Sequence, residues 1–203
     1  MYDEREAASV SSLVMERLTG MPKSLRVLHK TEPFTQQQEE LFGQYLTDLL
    51  KNRPVQYVLN EAWFGSLPFY VDEQVLIPRP ETEELVDWLL KDQVSGEPGL
   101  RVLDIGTGSG CIAVYIKKKR PDFQMMALDI SEAALDIAKK NSRIHSGEIE
   151  FISGDIRKPE QWNKIPAMDL LISNPPYIPE KQKQVLEKHV RDFEPSLALF
   201  VPD

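Results

Sequence analysis

Apolar residues recur along this chain with two different periods, and the change of period divides it. Ala7, Ala8, Val10, Leu13, Val14 and Leu18 fall at helical intervals until Gly20, Met21 and Pro22 break the run. Thr35 with Gln38 three residues later is a capping-box signal. Leu41, Phe42, Tyr45, Leu46, Leu49 and Leu50 supply the apolar stripe of the helix behind it. Residues 1–52 therefore predict a small helical bundle, with no catalytic cluster in it. Trp63-Phe64 and Phe69-Tyr70-Val71 flank Gly65-Ser66-Leu67-Pro68, which predicts a β-hairpin inside a linking stretch over 53–77. Asn60 in that stretch suits a left-handed turn.

From residue 78 onward helical and extended patterns alternate. Residues 81–92 read as a helix with Leu85, Trp88 and Leu89 on one side. Residues 100–105, 124–129, 149–152 and 168–173 read as buried strands, being short apolar runs bounded by turn residues. Helices are predicted over 111–119 and after Ser131, a helix-capping residue. Alternation of this kind predicts an α/β fold with a doubly wound, Rossmann-like parallel sheet over 78–203.

The chain has 203 residues, 41% of them apolar, enough for one large domain or for one with a small appendage. Its net charge of −8 opposes nonspecific phosphate-backbone binding, so no direct nucleic-acid contact is expected. Cys111 is the single cysteine, which rules out an intrachain disulfide and a multi-cysteine metal site. No apolar run is long enough to span a bilayer and no signal-peptide pattern opens the chain, so a cytoplasmic protein is expected. His29, His145 and His189 lie outside every motif and no metal is expected.

The chemistry concentrates at strand ends. Asn174-Pro175-Pro176-Tyr177 follows the last apolar run and forms a stiff, polar ledge suited to a planar NH2 group. Asp104-Ile105-Gly106-Thr107-Gly108-Ser109-Gly110 joins the first strand to its helix, where glycines admit a ligand close to the backbone. Asp129 ends the second strand, where a carboxylate can accept both hydroxyls of a ribose. Asp155 follows the third and can accept from an adenine amino group. A nicotinamide dinucleotide is disfavoured, because its fingerprint needs glycine where Cys111 stands.

Taken together, these motifs resemble the class I S-adenosylmethionine-dependent methyltransferases, and the Asn-Pro-Pro-Tyr ledge resembles the branch that acts on amino and amide nitrogens. Val75-Leu76-Ile77-Pro78-Arg79-Pro80-Glu81-Thr82-Glu83 narrows the choice. With Pro54-Val55-Gln56-Tyr57, the aromatic hairpin, Phe193-Glu194-Pro195 and Ala198-Leu199, it resembles the release-factor glutamine N5-methyltransferases, the PrmC/HemK family. The resemblance covers residues 25–203. It departs at Asn60, where glycine is common, and at Ile156, where some members carry tryptophan.

The resemblance implies S-adenosylmethionine as cofactor and a class 1 peptide-chain release factor as partner, methylated on the glutamine of its Gly-Gly-Gln motif. It implies cofactor contacts from Gly106, Thr107, Gly108, Ser109, Gly110, Asp129, Asp155, Ile156 and Asn174. The Asn174 side-chain oxygen and the Pro175 carbonyl would accept the amide N–H bonds, with Pro176 stiffening the ledge and Tyr177 packing on the amide. Thr82 and Glu83 stay open between cofactor contact and a structural role. The family's sheet has more strands than the four counted here, so a C-terminally truncated form is expected, with an apolar edge on the fourth strand and low stability or self-association. A full-length chain would be a monomer. A DNA adenine-N6 methyltransferase and a noncatalytic binding module of the same fold are the alternatives.

Overall fold

The computed structural model describes residues 3–94, 96–145 and 147–202. They form two compact units, one holding the residues up to Asn60 with Glu187–Phe193, the other Glu61–Leu186 with the chain from Glu194 onward.

In the first unit, α1 (Glu4–Thr19) starts at Asp3, whose side chain accepts the Glu6 N–H, and stops at left-handed Gly20. A four-residue turn, α2 (Lys23–Arg26), leads to α3 (Gln36–Leu50). The expected capping box is present: Thr35 Oγ1 accepts from the Gln38 N–H and Gln38 Oε1 accepts from the Thr35 N–H. A further helix, α4 (Val55–Leu59), ends at Asn60 with φ of 52°, the left-handed turn the sequence predicts. Val14 and Leu18 of α1 and Val55, Val58 and Leu59 of α4 share one core, with Leu41, Tyr45 and Leu49 of α3 against it.

The second unit opens with the hairpin β1 (Ala62–Phe64) and β2 (Leu67–Phe69). Its Phe64 and Phe69 are buried, and Phe64 meets the Tyr115 ring edge-on at 5.5 Å. Next comes α5 (Pro80–Trp88), whose last turn widens into a π-helical stretch over Leu89–Gln93. Its inner face differs from the expected one. Thr82, Val86 and Leu89 are buried, whereas Leu85 and Trp88 are exposed. Spacings of four and three residues put the buried set in one row, and its first member is polar.

The sheet is parallel with order β5-β4-β3-β6: β3 (Arg101–Ile105) and β4 (Gln124–Asp129) at the centre, β5 (Ile149–Ser153) and β6 (Leu170–Ser173) outside. Connections run through α6 (Cys111–Lys119) and α7 (Glu132–Ile144), the latter capped by Ser131 Oγ on the Ala134 N–H. One face buries Val102, Met125, Ala127 and Ile172 with α5 and α6. The other gathers Leu103, Met126 and Leu128, backed by Ile152, Ile156, Ile165 and Met168. Among the described residues β6 pairs with β3 alone, and Leu171 on it is exposed. After β6 the chain continues through β7 (Ile178–Pro179), α8 (Lys188–Phe193, in the first unit), α9 (Ser196–Leu199) and β8 (Phe200–Val201), which pairs with β7. Among the described residues no helix is long and apolar enough to cross a membrane.

One buried side chain ties this unit together. Asn141 of α7 accepts the Tyr70 N–H at 2.8 Å and donates to the Tyr70 and Ser109 carbonyls, both at 2.9 Å. It therefore fastens the segment after the hairpin and the glycine turn to one helix. Nothing in the local pattern of Lys139-Lys140-Asn141 announces this, because the partners are remote in sequence. Asn141→Ala removes three hydrogen bonds, one of them buried and two part-buried, and should cost about 2–4 kcal/mol. Urea denaturation should show the loss as a lower midpoint at unchanged slope.

Candidate active site

Strand registers decide which loops meet. Ile105 of β3 pairs with Leu128 of β4 on one side and Ser173 of β6 on the other, and Asp129 pairs with Ser153 of β5. Gly106, Ile130, Gly154 and Asn174 therefore leave the sheet along one edge, at its carboxyl end. The order β5-β4-β3-β6 reverses direction between β3 and β6, the kind of switch point at which open α/β sheets bind ligands.

The glycine turn hangs from β4. Gly106 and Thr107 donate to the Leu128 carbonyl at 2.8 and 3.1 Å, and Gly108 donates to Asp129 Oδ2 at 2.9 Å. Asp129 Oδ1 accepts the Ser131 N–H at 2.9 Å. Each carboxylate oxygen of Asp129 thus keeps one lone pair for a ligand. Gly106 and Gly108 have φ of 72° and 54°, and a Cβ on either would meet nothing within 4 Å. Their backbone is left-handed and borders open space, as a ligand cradle requires. Gly110 serves another purpose: a Cβ there would lie 3.0 Å from that of Ala138, so it lets α6 approach α7. Ser109 is buried.

Asp104 lies fully buried beneath the turn. Thr107 Oγ1 donates to its Oδ2 at 2.7 Å, while Oδ1 has no partner among the described residues. Burial pushes its carboxyl up to about 7, against the lowering effect of the Thr107 hydrogen bond. Burial likewise pushes the Cys111 thiol up to about 12, so it packs as an apolar group and does not act as a nucleophile.

Asp155 is already engaged. Arg157 grips its carboxylate through Nε on Oδ1 at 2.8 Å and Nη2 on Oδ2 at 2.9 Å, and the Arg157 N–H adds a third bond to Oδ1. These bonds hold the carboxyl well below its usual range, at about 2. Oδ2 retains an acceptor position. Ile156 follows, packed against the sheet and lining the cleft.

On the β6 side, Ser173 Oγ donates to the Ile105 carbonyl at 2.7 Å, and Asn174 Nδ2 donates to Thr82 Oγ1 at 3.0 Å. Arg79 Nη2 donates to Glu194 Oε1 at 2.6 Å, and Glu194 Oε2 lies 3.4 Å from the Ile77 N–H. The Glu194 side chain is 0% exposed. A cleft of about 570 Å³ runs between these groups, with Gly106, Thr107, Gly108, Ser109, Asp129, Asp155, Ile156, Asn174, Pro175 and Pro176 on its walls. Gly110 is not on the wall, and Tyr177 stands off it, 75% exposed. Sequence reasoning missed the Thr82 contact and the Glu194 tie, tertiary polar contacts without periodicity, and the Arg157 clamp, a local contact between residues two apart. The resemblance did single out the segments that hold Arg79, Thr82 and Glu194.

Residues 82–197 match the family described as methyltransferase small domain, and residues 2–59 the one described as PrmC N-terminal domain. A Flavobacterium psychrophilum protein named release factor glutamine methyltransferase is 40% identical over 100% of this chain and 71% of its own length. Proteins of the same name from Enterococcus faecalis and Chlorobaculum tepidum are 42% and 37% identical, over 97% and 95% of this chain and 69% and 68% of their own lengths.

The elevated carboxyl of Asp104 links stability to pH. Its contribution is fully present below the ordinary value of 3.8 and is lost as pH rises through about 7, because over that range the unfolded chain releases a proton that the buried carboxyl of the folded chain retains. Asp104→Asn should flatten that part of the stability profile, read as unfolding midpoints between pH 4 and pH 8. A profile that falls just as steeply in the variant would assign the effect to another group.

Proposed function

Because this chain belongs to the family of release factor glutamine methyltransferases, we propose that it methylates the side-chain amide nitrogen, N5, of a glutamine, with S-adenosylmethionine as donor. The acceptor in this reading is the Gly-Gly-Gln glutamine of class 1 peptide-chain release factors. The observation that carries the reading is the β3–β6 register, Ile105 with Ser173, which sets the Asn174-Pro175 ledge beside the glycine turn on one cleft. A methyl donor held by the turn and an NH2 group held by the ledge then face each other.

The residues present fit the cofactor. Gly106 and Gly108 offer a cradle that any side chain would fill, and Asp129 offers an acceptor pair for a ribose diol. Asp155 keeps Oδ2 for an amino group, and Ile156 offers an apolar surface for a flat ring. Bound there, S-adenosylmethionine supplies an electrophilic methyl group on a sulfonium sulfur.

The chain's own residues have the harder task. A glutamine amide nitrogen is a poor nucleophile, since its lone pair is delocalised into the carbonyl. Asn174 Oδ1 and the Pro175 carbonyl accept its two N–H bonds, which aims the lone pair and stabilises positive charge developing on nitrogen. Pro175 and Pro176 restrict the backbone, so both acceptors stand in place before substrate arrives. Tyr177 is available to pack on the planar amide. No side chain serves as nucleophile. In this reading residues 1–52 dock the release factor, 53–77 link, and 78–203 carry the transfer. In the same reading the protein acts in the cytoplasm, is a monomer at full length and does not contact nucleic acid directly.

Labelled S-adenosylmethionine offered with a release factor, with its Gly-Gly-Gln glutamine changed to alanine, or with duplex DNA tests the proposal. Label on the intact release factor alone is expected; label on DNA would overturn it. Asn174→Ala should lower kcat by about 10²–10³ and move the cofactor Kd by less than about threefold. Equal loss of both would remove Asn174 from the chemistry.

A further inference from the structure

An asparagine amide can turn either end toward a cleft, since rotation about its last bond is soft. Only the oxygen end accepts from an incoming NH2 group; the nitrogen end would set donor against donor. Asn174 is therefore useful in one of its two orientations. In the structure Nδ2 donates to Thr82 Oγ1 at 3.0 Å, which leaves Oδ1 for a ligand; a hydroxyl also donates, so the incoming NH2 group, which needs an acceptor, selects this orientation and the Thr82 bond then holds it. Both residues line the cleft, and Thr82 is 8% exposed, so water competes poorly for the bond.

Thr82 is itself held firmly. It occupies the first turn of α5, its N–H bonded to the Arg79 carbonyl at 3.1 Å. Pro80 presets the helical φ of the first position, and Arg79 before it is extended at φ −105° and ψ 143°. Glu194 anchors that extended segment through Arg79 Nη2 and the Ile77 N–H. On the far side, the Ser173 bond to the Ile105 carbonyl and the β3–β6 register fix the backbone that carries Asn174. Two rigid supports thus meet at one hydrogen bond.

We infer that Thr82 is a positioning residue for methyl transfer: its hydroxyl holds the Asn174 amide with the oxygen facing the substrate. The inference rests on the reading of Asn174 as the acceptor of the substrate amide. Valine has the shape of threonine without the hydroxyl, and serine keeps the hydroxyl. Aspartate at position 174 has no NH2 end to orient.

The test compares Thr82→Val and Thr82→Ser in the full chain, alone and with Asn174→Asp. In the native background Thr82→Val should lower kcat about 10–100-fold while KM and cofactor Kd move less than about threefold, and Thr82→Ser should stay within about threefold of native. Beside Asn174→Asp, Thr82→Val should cost less than about threefold more. Equal kcat in the valine and serine variants, or loss of cofactor affinity matching the loss of kcat, would overturn the inference. A second readout needs no activity. The Asn174 side-chain NH2 pair in ¹H–¹⁵N spectra, identified by its absence from Asn174→Asp, should shift in Thr82→Val and stay near its native position in Thr82→Ser. An unmoved NH2 pair in Thr82→Val overturns the inference even in an active enzyme. A native chain that transfers no methyl group, but whose NH2 pair shifts as expected, upholds the orienting bond and overturns the proposed function instead.

Discussion

β3 hydrogen-bonds to β4 along one side and to β6 along the other, and those two registers place the glycine turn, Asp129 and the Asn174 ledge. With Ile105 opposite both Leu128 and Ser173, the glycine turn, Asp129 and Asn174 emerge at the same height. The Leu128 carbonyl then accepts two N–H groups of the turn, and the Asp129 carboxylate a third. A slip of one residue on either side would separate the ledge from the turn and reverse the faces of a strand whose two sides are both packed. The apolar residues that bury the sheet thus set the geometry of groups that are themselves polar.

A second layer of constraint comes from charges and amides placed where water is scarce. Glu194, without exposed side-chain surface, is neutralised by Arg79 and holds the segment that opens α5. Asn141 ties Tyr70 to Ser109. Removing one partner from such a pair costs more than the pair contributes, because the group left behind stays desolvated. These contacts cluster around the cleft, where loops rather than regular ladders must hold the backbone. Asp104 is the exception, a buried carboxyl with one oxygen unpartnered among the described residues and its ionisation moved toward neutrality.

Much of this is legible in the chain itself, and the residues show why the rest is not. Gln124–Asp129 is a strand over the residues its apolar run marks, and the capping signals of Thr35 and Ser131 appear as hydrogen bonds. Each is a local interaction with a local pattern. The apolar pattern puts Leu85, Trp88 and Leu89 on one side of α5, but the chain buries Thr82, Val86 and Leu89. The largest apolar residues do not mark the buried row when a polar one is needed inside. Thr82 meets Asn174 92 residues away, Asn141 meets Tyr70 71 residues away, and Arg79 meets Glu194 115 residues away. No periodicity joins such positions, so only the folded chain reveals them.

In the proposed reaction one amide, Asn174, receives a glutamine amide beside the methyl donor. A crystal structure of this chain with S-adenosylhomocysteine and a Gly-Gly-Gln peptide measures it directly. The expected result is the glutamine nitrogen about 3 Å from both Asn174 Oδ1 and the Pro175 carbonyl oxygen, with Asn174 Nδ2 still on Thr82. A glutamine seated away from the ledge, or Asn174 turned with Nδ2 toward it, would contradict the account.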